Sequence, residues 1–298
     1  MQIPHMAGAL AALLLSGFAF SSDEQVYGLS FDDSSGRPVI DITINGQGPF
    51  PFVFDTGAGG VTVRPELAEQ LGLTVTGQGE IGSPIGDGGI AVDLTRIDAI
   101  TAGGAEISDV DAMIVGFGAP GQVAAMGVIG PAAFSEYGRV AYYFGDNRIE
   151  IGGTVLSGPD SAWLPIAAGS FLLNIPVAFN DTEINLHIDT GNPGIVSFPL
   201  ADADNLPLNA APEVIGQART IDREFDIYAA PITINLNLSD AIIPLTQAML
   251  MPAPFGNVGN GALEGTTLEI DWNSQQFLIT GTATPRPLRR RRSPPPEN

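Results

Sequence analysis

The stretch Phe52-Val53-Phe54-Asp55-Thr56-Gly57-Ala58 decides how this chain is read, because Leu186-His187-Ile188-Asp189-Thr190-Gly191 repeats its pattern 134 residues later. In each copy an apolar run, β-prone in composition, delivers an aspartate into a Thr-Gly turn. An aspartate at the end of a buried strand is costly to ionise without partners. Two of them side by side are costlier still unless they share one proton. A single Asp-Thr-Gly is ordinary turn chemistry; its recurrence in similar surroundings is what carries information.

The surroundings do recur. Pro38 to Ile44 alternates apolar and polar side chains, turns at Asn45-Gly46, and returns through Pro51 to Phe54 into Asp55. In the second half Phe171 to Phe179 turns at Asn180-Asp181 and returns through Ile184 to Ile188 into Asp189. Gly127-Val128-Ile129-Gly130 is matched by Gly256-Asn257-Val258-Gly259, 75 residues after the first aspartate and 70 after the second, each counted to the final glycine. Val140 to Ile151, turning at Gly145-Asp146-Asn147, is echoed by Leu268 to Ile279, turning at Asn273-Ser274. Elements kept in one order at nearly one spacing indicate a duplicated unit.

Composition narrows the classes. The 298 residues include 44% hydrophobic and only 15% charged residues, with 37 Gly and 24 Pro, which suits many short strands and turns around a sizeable core. The net charge of −21 comes from 33 acids against 12 arginines and no lysine, and five of the arginines (Arg286 and Arg289 to Arg292) sit at the C-terminus. So acidic a body is ill suited to nucleic acid, whose phosphates need cations. The Gly-rich segment Gly86 to Gly89 is not a phosphate cradle, because no P-loop lysine exists and no helix pattern follows it. The absence of cysteine removes disulfides and thiol chemistry, and two histidines cannot make a His-rich metal site. No cofactor and no metal are expected.

Residues 1–22 read as a secretory signal, with an apolar run from Ala7 to Phe20 too short to span a bilayer comfortably. The expectation is an exported protein, periplasmic or extracellular, touching a membrane only if that segment is retained. Pro65 to Leu73 reads as a short helix with Pro65 in its first turn and Gly72 near its end. Glu80 to Leu94 reads as a hairpin with a mobile Gly-rich tip. Gly152 to Pro159 reads as the connection between the halves, and residues 282–298, rich in Pro and Arg, as a disordered tail.

The two Asp-Thr-Gly turns, the Val128-Ile129-Gly130 and Asn257-Val258-Gly259 segments and the PELAEQLGL helix together resemble the aspartic peptidases, and most of all the bacterial retropepsin-like type with two halves joined in tandem. The resemblance implies an all-β fold of two pseudo-symmetric barrel-like lobes, residues 27–153 and 160–281, with a short helix each at most and a pepsin-like cleft between them. It implies Asp55 and Asp189 as the catalytic pair. Thr56, Gly57, Thr190 and Gly191 would support them, the threonines bonding across the lobe interface. Ile85, Gly86, Asp87, Gly88 and Gly89 would form a flap over the substrate. The implied activity is that of a monomeric aspartic endopeptidase cutting polypeptides with an acidic optimum. Three departures stand out: Asn192-Pro193 follows the second turn where the family has a small residue, no flap tyrosine of the pepsin kind lies near Gly86 to Gly89, and a second flap within Gly216 to Ile227 has no clear signature. The alternatives are a non-catalytic secreted module that holds peptides or a partner on the same fold, and a β-rich envelope protein.

Overall fold

Alternating apolar strands that end in tight turns can bury one face only by closing on themselves or packing on a second sheet. This chain does both. The computed structural model describes residues 25–82, 89–116, 125–219 and 224–286. The expected signal at 1–22, the flap residues Ile85, Gly86, Asp87 and Gly88, and the tail from 287 onward lie outside the described residues.

The first half closes into a six-stranded barrel. Val39–Ile44 and Gln47–Phe54 form a hairpin about Asn45 and Gly46, both at positive φ (50° and 73°), the twist a two-residue hairpin requires and glycine supplies at no steric cost. Gln47–Phe54 continues onto Gly127–Ile129, then Val61–Val63, Ala105–Ile114 and Gly89–Ala102. Pairing of Ile42, Thr43 and Ile44 with Ala102, Thr101 and Ile100 returns to the first strand and shuts the ring. Val75–Gly82 lies outside the ring, paired with the start of Gly89–Ala102 as a projecting hairpin.

The second half repeats this order strand for strand: Asn174–Phe179, Thr182–Asp189, Gly256–Gly259, Val196–Pro199, Asp240–Met251, Glu224–Leu238 and Glu213–Arg219. Its last two strands form a projecting hairpin of their own, the counterpart that the sequence left unassigned. Among the described residues no ladder joins Asn174–Phe179 to Glu224–Leu238, so this lobe is barrel-like and open where the first is closed.

Under both lobes runs a sheet built from both halves, in the order Val26–Ser30, Arg148–Gly152, Arg139–Tyr143, Thr266–Asp271, Gln276–Thr282 and Leu164–Pro165. Its centre is the pairing of Val140 with Ile270 and Tyr142 with Leu268, where the two echoed hairpins meet. Helix is scarce, as expected. Pro65–Leu71 is one α-helix, closed by Gly72 in the left-handed region. Its counterpart Leu200–Asn205, with two Asp and one Asn, makes only a 3-10 turn. No described helix is long and apolar enough to cross a membrane.

The cores hold the strands that carry the aspartates. Phe52 and Phe54 are fully buried, and Phe54 stacks on Tyr142 at 5.3 Å, which stacks on Phe144 at 5.6 Å. Leu186 and Ile188 play the same part before Asp189. Each such burial contributes about 1.5–3 kcal/mol. The chain beyond 281, expected to be a disordered tail from 282, is held in place as far as Arg286: Thr282 ends a strand, Ala283 is buried, and Arg286 pairs with Asp33 and Glu264. Salt bridges and one apolar contact outweigh the local Pro-rich composition there.

One buried ion pair ties the shared sheet to the connection between halves. Arg139 Nε donates to Glu269 Oε1 at 2.6 Å, and the two side chains are 3% and 4% exposed. Glu269 also accepts the N–H of Leu156 at 2.9 Å and of Ser157 at 3.3 Å. Removing Arg139 leaves the Glu269 carboxylate buried without its cation, whereas Arg139 without Glu269 would still pair with Glu150 at 3.1 Å. Arg139→Met should therefore cost about 3–5 kcal/mol in urea unfolding, with the double change Arg139→Met/Glu269→Leu recovering most of the loss. A single variant as stable as the parent would refute a load on this pair.

Candidate active site

Each aspartate sits where a buried strand and its parallel neighbour both stop. Phe54 lies beside Ile129, and Asp55 N–H donates to the Ile129 carbonyl at 2.9 Å. Asp189 lies beside Gly259 in the equivalent ladder. The strand ends thus present both side chains at the junction of the lobes.

What brings them together is a reciprocal exchange between the two threonines. The Thr56 N–H donates to Thr190 Oγ1 at 3.0 Å, and the Thr190 N–H donates to Thr56 Oγ1 at 3.0 Å. Each hydroxyl then donates onward across the junction, Thr56 to the Ile188 carbonyl at 2.7 Å and Thr190 to the Phe54 carbonyl at 2.9 Å. Both threonines are buried, so the hydroxyls have no water to fall back on. The bonding across the interface expected from sequence is present in full.

The glycines set how closely the carboxyls approach. A Cβ on Gly57 would lie 3.1 Å from the Asp189 carboxyl carbon, and one on Gly191 would collide with the Asp55 carboxyl. The Gly57 and Gly191 N–H groups both donate to Asp55 Oδ1, at 2.8 and 2.9 Å. Asp189 is held differently: Asn192 N–H donates to Oδ1 at 3.0 Å and Asn257 Nδ2 to Oδ2 at 2.7 Å. Sequence reasoning did not single out Asn257 as a site residue. The available signal was a polar side chain where the first half carries apolar Val128.

Burial, and then the neighbouring charge of Asp189, push the Asp55 carboxyl up to about 7, against the pull of the two glycine N–H groups. Arg37 is a second unforeseen neighbour. Its Nε donates to the Gly191 carbonyl at 2.6 Å; burial lowers its pKa while both aspartates support its charge. His187 shares a strand face with Asp189, meets Phe255 edge-on at 4.0 Å, and is kept below its ordinary pKa by burial.

Beside the Asp55 turn opens a cavity of about 950 Å³, lined from Gly57 to Thr62 and by Ile81, Leu94, Met113, Phe171 and Leu172 among others. Ile81 and Gly82 belong to the projecting hairpin, where Gly82 pairs with Gly89, the one expected flap residue that is described. The pair and its supports, Asp55, Thr56, Gly57, Asp189, Thr190 and Gly191, therefore converge on one point with an apolar recess alongside.

The model of a family described as aspartyl protease matches residues 40–131. The match takes in the first barrel, Asp55-Thr56-Gly57 and Val128-Ile129-Gly130, and supports an aspartic protease activity in general. It covers under a third of the chain and stops short of Asp189. No curated protein matches the chain.

The threonine exchange predicts a stability signature independent of any activity. Thr56→Val keeps the shape but strands the Thr190 N–H and loses the donor to Ile188, which should cost about 2–4 kcal/mol. Thr56→Ser keeps both bonds and should cost clearly less. Equal losses for the two variants, read by urea unfolding, would show that the hydroxyl contributes nothing.

Proposed function

We propose that this chain is an aspartic endopeptidase that hydrolyses polypeptides with a water held between Asp55 and Asp189. The observation that carries the reading is the pair itself: two carboxyls within hydrogen-bonding reach, fixed by reciprocal threonine bonds at the edge of an apolar recess. Two carboxyls so close cannot both ionise cheaply, so one proton is shared. The ionised member takes a proton from the water as its oxygen attacks the peptide carbonyl carbon. The protonated member donates to the carbonyl oxygen. When the tetrahedral species collapses, the carbon–nitrogen bond breaks and the leaving amine takes up a proton from the pair.

The recess beside Gly57 suits an apolar side chain next to the bond that is cut, and the two projecting hairpins suit a substrate lying extended between the lobes. The duplicated strand order favours reading residues 27–153 and 160–281 as tandem lobes in a pepsin-like arrangement. The proposal also takes residues 1–22 as an export signal, with the enzyme acting as a monomer in the periplasm or outside the cell.

Asp55→Asn and Asp189→Asn should each lower kcat roughly 10²–10⁴-fold on an unfolded protein substrate while leaving the fold intact. The rate should trace a bell with an acidic optimum. It falls on the alkaline side as pH rises through about 7, because there Asp55 loses the proton that the reaction needs. Added salt should move that limb to lower pH by screening the acidic body. A fully active single variant, or a rate still climbing through pH 8, would refute the shared-proton mechanism.

A further inference from the structure

The two aspartates are equivalent by position but not by partners. Asp55 takes both of its N–H donors on Oδ1, and among the described residues no N–H reaches its Oδ2. Asp189 takes one donor on each oxygen. The donor on Oδ2, Asn257, occupies the ladder position held by Val128 in the first half, since His187 pairs with Asn257 as Val53 pairs with Val128.

The direction of that side-chain bond is forced. The Gly194 N–H can only donate, and it donates to Asn192 Oδ1 at 2.8 Å, which fixes that atom as the oxygen. The other end of the Asn192 amide is then Nδ2, which donates to Asn257 Oδ1 at 2.8 Å. That leaves the Asn257 amide nitrogen against Asp189, able to donate and unable to accept. A chain of donors that begins at a backbone N–H ends on a carboxylate oxygen. Donors aimed at both oxygens favour the ionised form, whereas Asp55 keeps one oxygen free to hold a proton.

We propose that Asn257, braced by Asn192 and Gly194, is a positioning residue that makes Asp189 the ionised base of the pair and leaves Asp55 as its acid. The assignment rests on the peptidase reading for its catalytic meaning, but not for the order in which the two groups ionise. The other charged or titratable groups near the pair do not reverse it. Arg37, from the first lobe, attracts both carboxylates, Asp189 the more strongly, and so acts in the same direction as Asn257. His187, on the Asp189 strand, is held below its ordinary pKa by burial and adds no fixed charge at neutral pH. Tyr142, from the shared sheet and close to Asp55, keeps its proton well above the ordinary tyrosine range because it is buried.

The test is a carboxyl carbon NMR titration of aspartate-labelled protein from pH 3 to 9, with Asp55→Asn and Asp189→Asn to assign the two signals. Asp189 should ionise before Asp55. In Asn257→Val, which installs the first half's own residue, the Asp189 midpoint should rise by about one to two pH units, the equivalent of one hydrogen bond to a charged group. The acidic limb of kcat/KM should move up by the same amount. Asn192→Ala, which removes only the brace, should move both in the same direction by less. Ionisation of Asp55 first in the parent protein would overturn the proposal, as would an Asp189 midpoint unmoved in Asn257→Val. If Asn257→Val does not fold, the parent order and Asn192→Ala still decide. If no peptide is cut under any condition, the peptidase reading fails while the titration still settles the role of Asn257.

Discussion

Everything in this structure answers to four hydrogen bonds between Thr56 and Thr190 and the carbonyls of Phe54 and Ile188. They form only if two strand ends from different halves arrive at the same depth with opposite sense. That requirement fixes the register of each aspartate strand on its parallel neighbour and leaves no room for a side chain at Gly191. Two carboxyls that repel one another are kept adjacent because separating them would break four buried hydrogen bonds. Burial, and then that repulsion, appear as a raised Asp55 pKa.

The same constraint explains why the fold was so largely legible. A repeat with one strand order leaves clear marks: Asn-Gly or Asn-Asp turns, apolar runs ending in Asp-Thr-Gly, and hydrophobic-Gly segments at nearly constant spacing. The structure places all of these as expected, the Pro65–Leu71 helix included. Turn chemistry and period are local, and local signals survive in sequence. What escaped was set by geometry between distant segments. Arg37 and Asn257 lie 154 and 68 residues from the groups they bond, and neither residue type announces its partner. The second projecting hairpin escaped for another reason. Its strand Glu213–Arg219 has no sharp alternation, and its pairing carries a bulge at Val214 and Gly216. The hold on Arg286 was hidden by composition, since Pro and Arg near a terminus usually signal a solvated end.

The halves have not kept equal structure. Among the described residues the first closes its ring and the second does not, and a helix in one is a 3-10 turn in the other. The shared sheet is the part in which both halves still contribute matching hairpins, and it is also where the buried Arg139–Glu269 pair crosses from one to the other. The two halves differ at the outer strands and match where they pair with each other.

The connection between the halves has a consequence of its own. Its backbone is tied down at Leu156 and Ser157 by Glu269, and at Ala162 by Asp240 and Ser239. The second half is thus presented to the first at a fixed, high effective concentration. A centre assembled from two separate chains dissolves on dilution. Here both aspartates belong to one chain, so their pairing does not depend on how dilute that chain becomes.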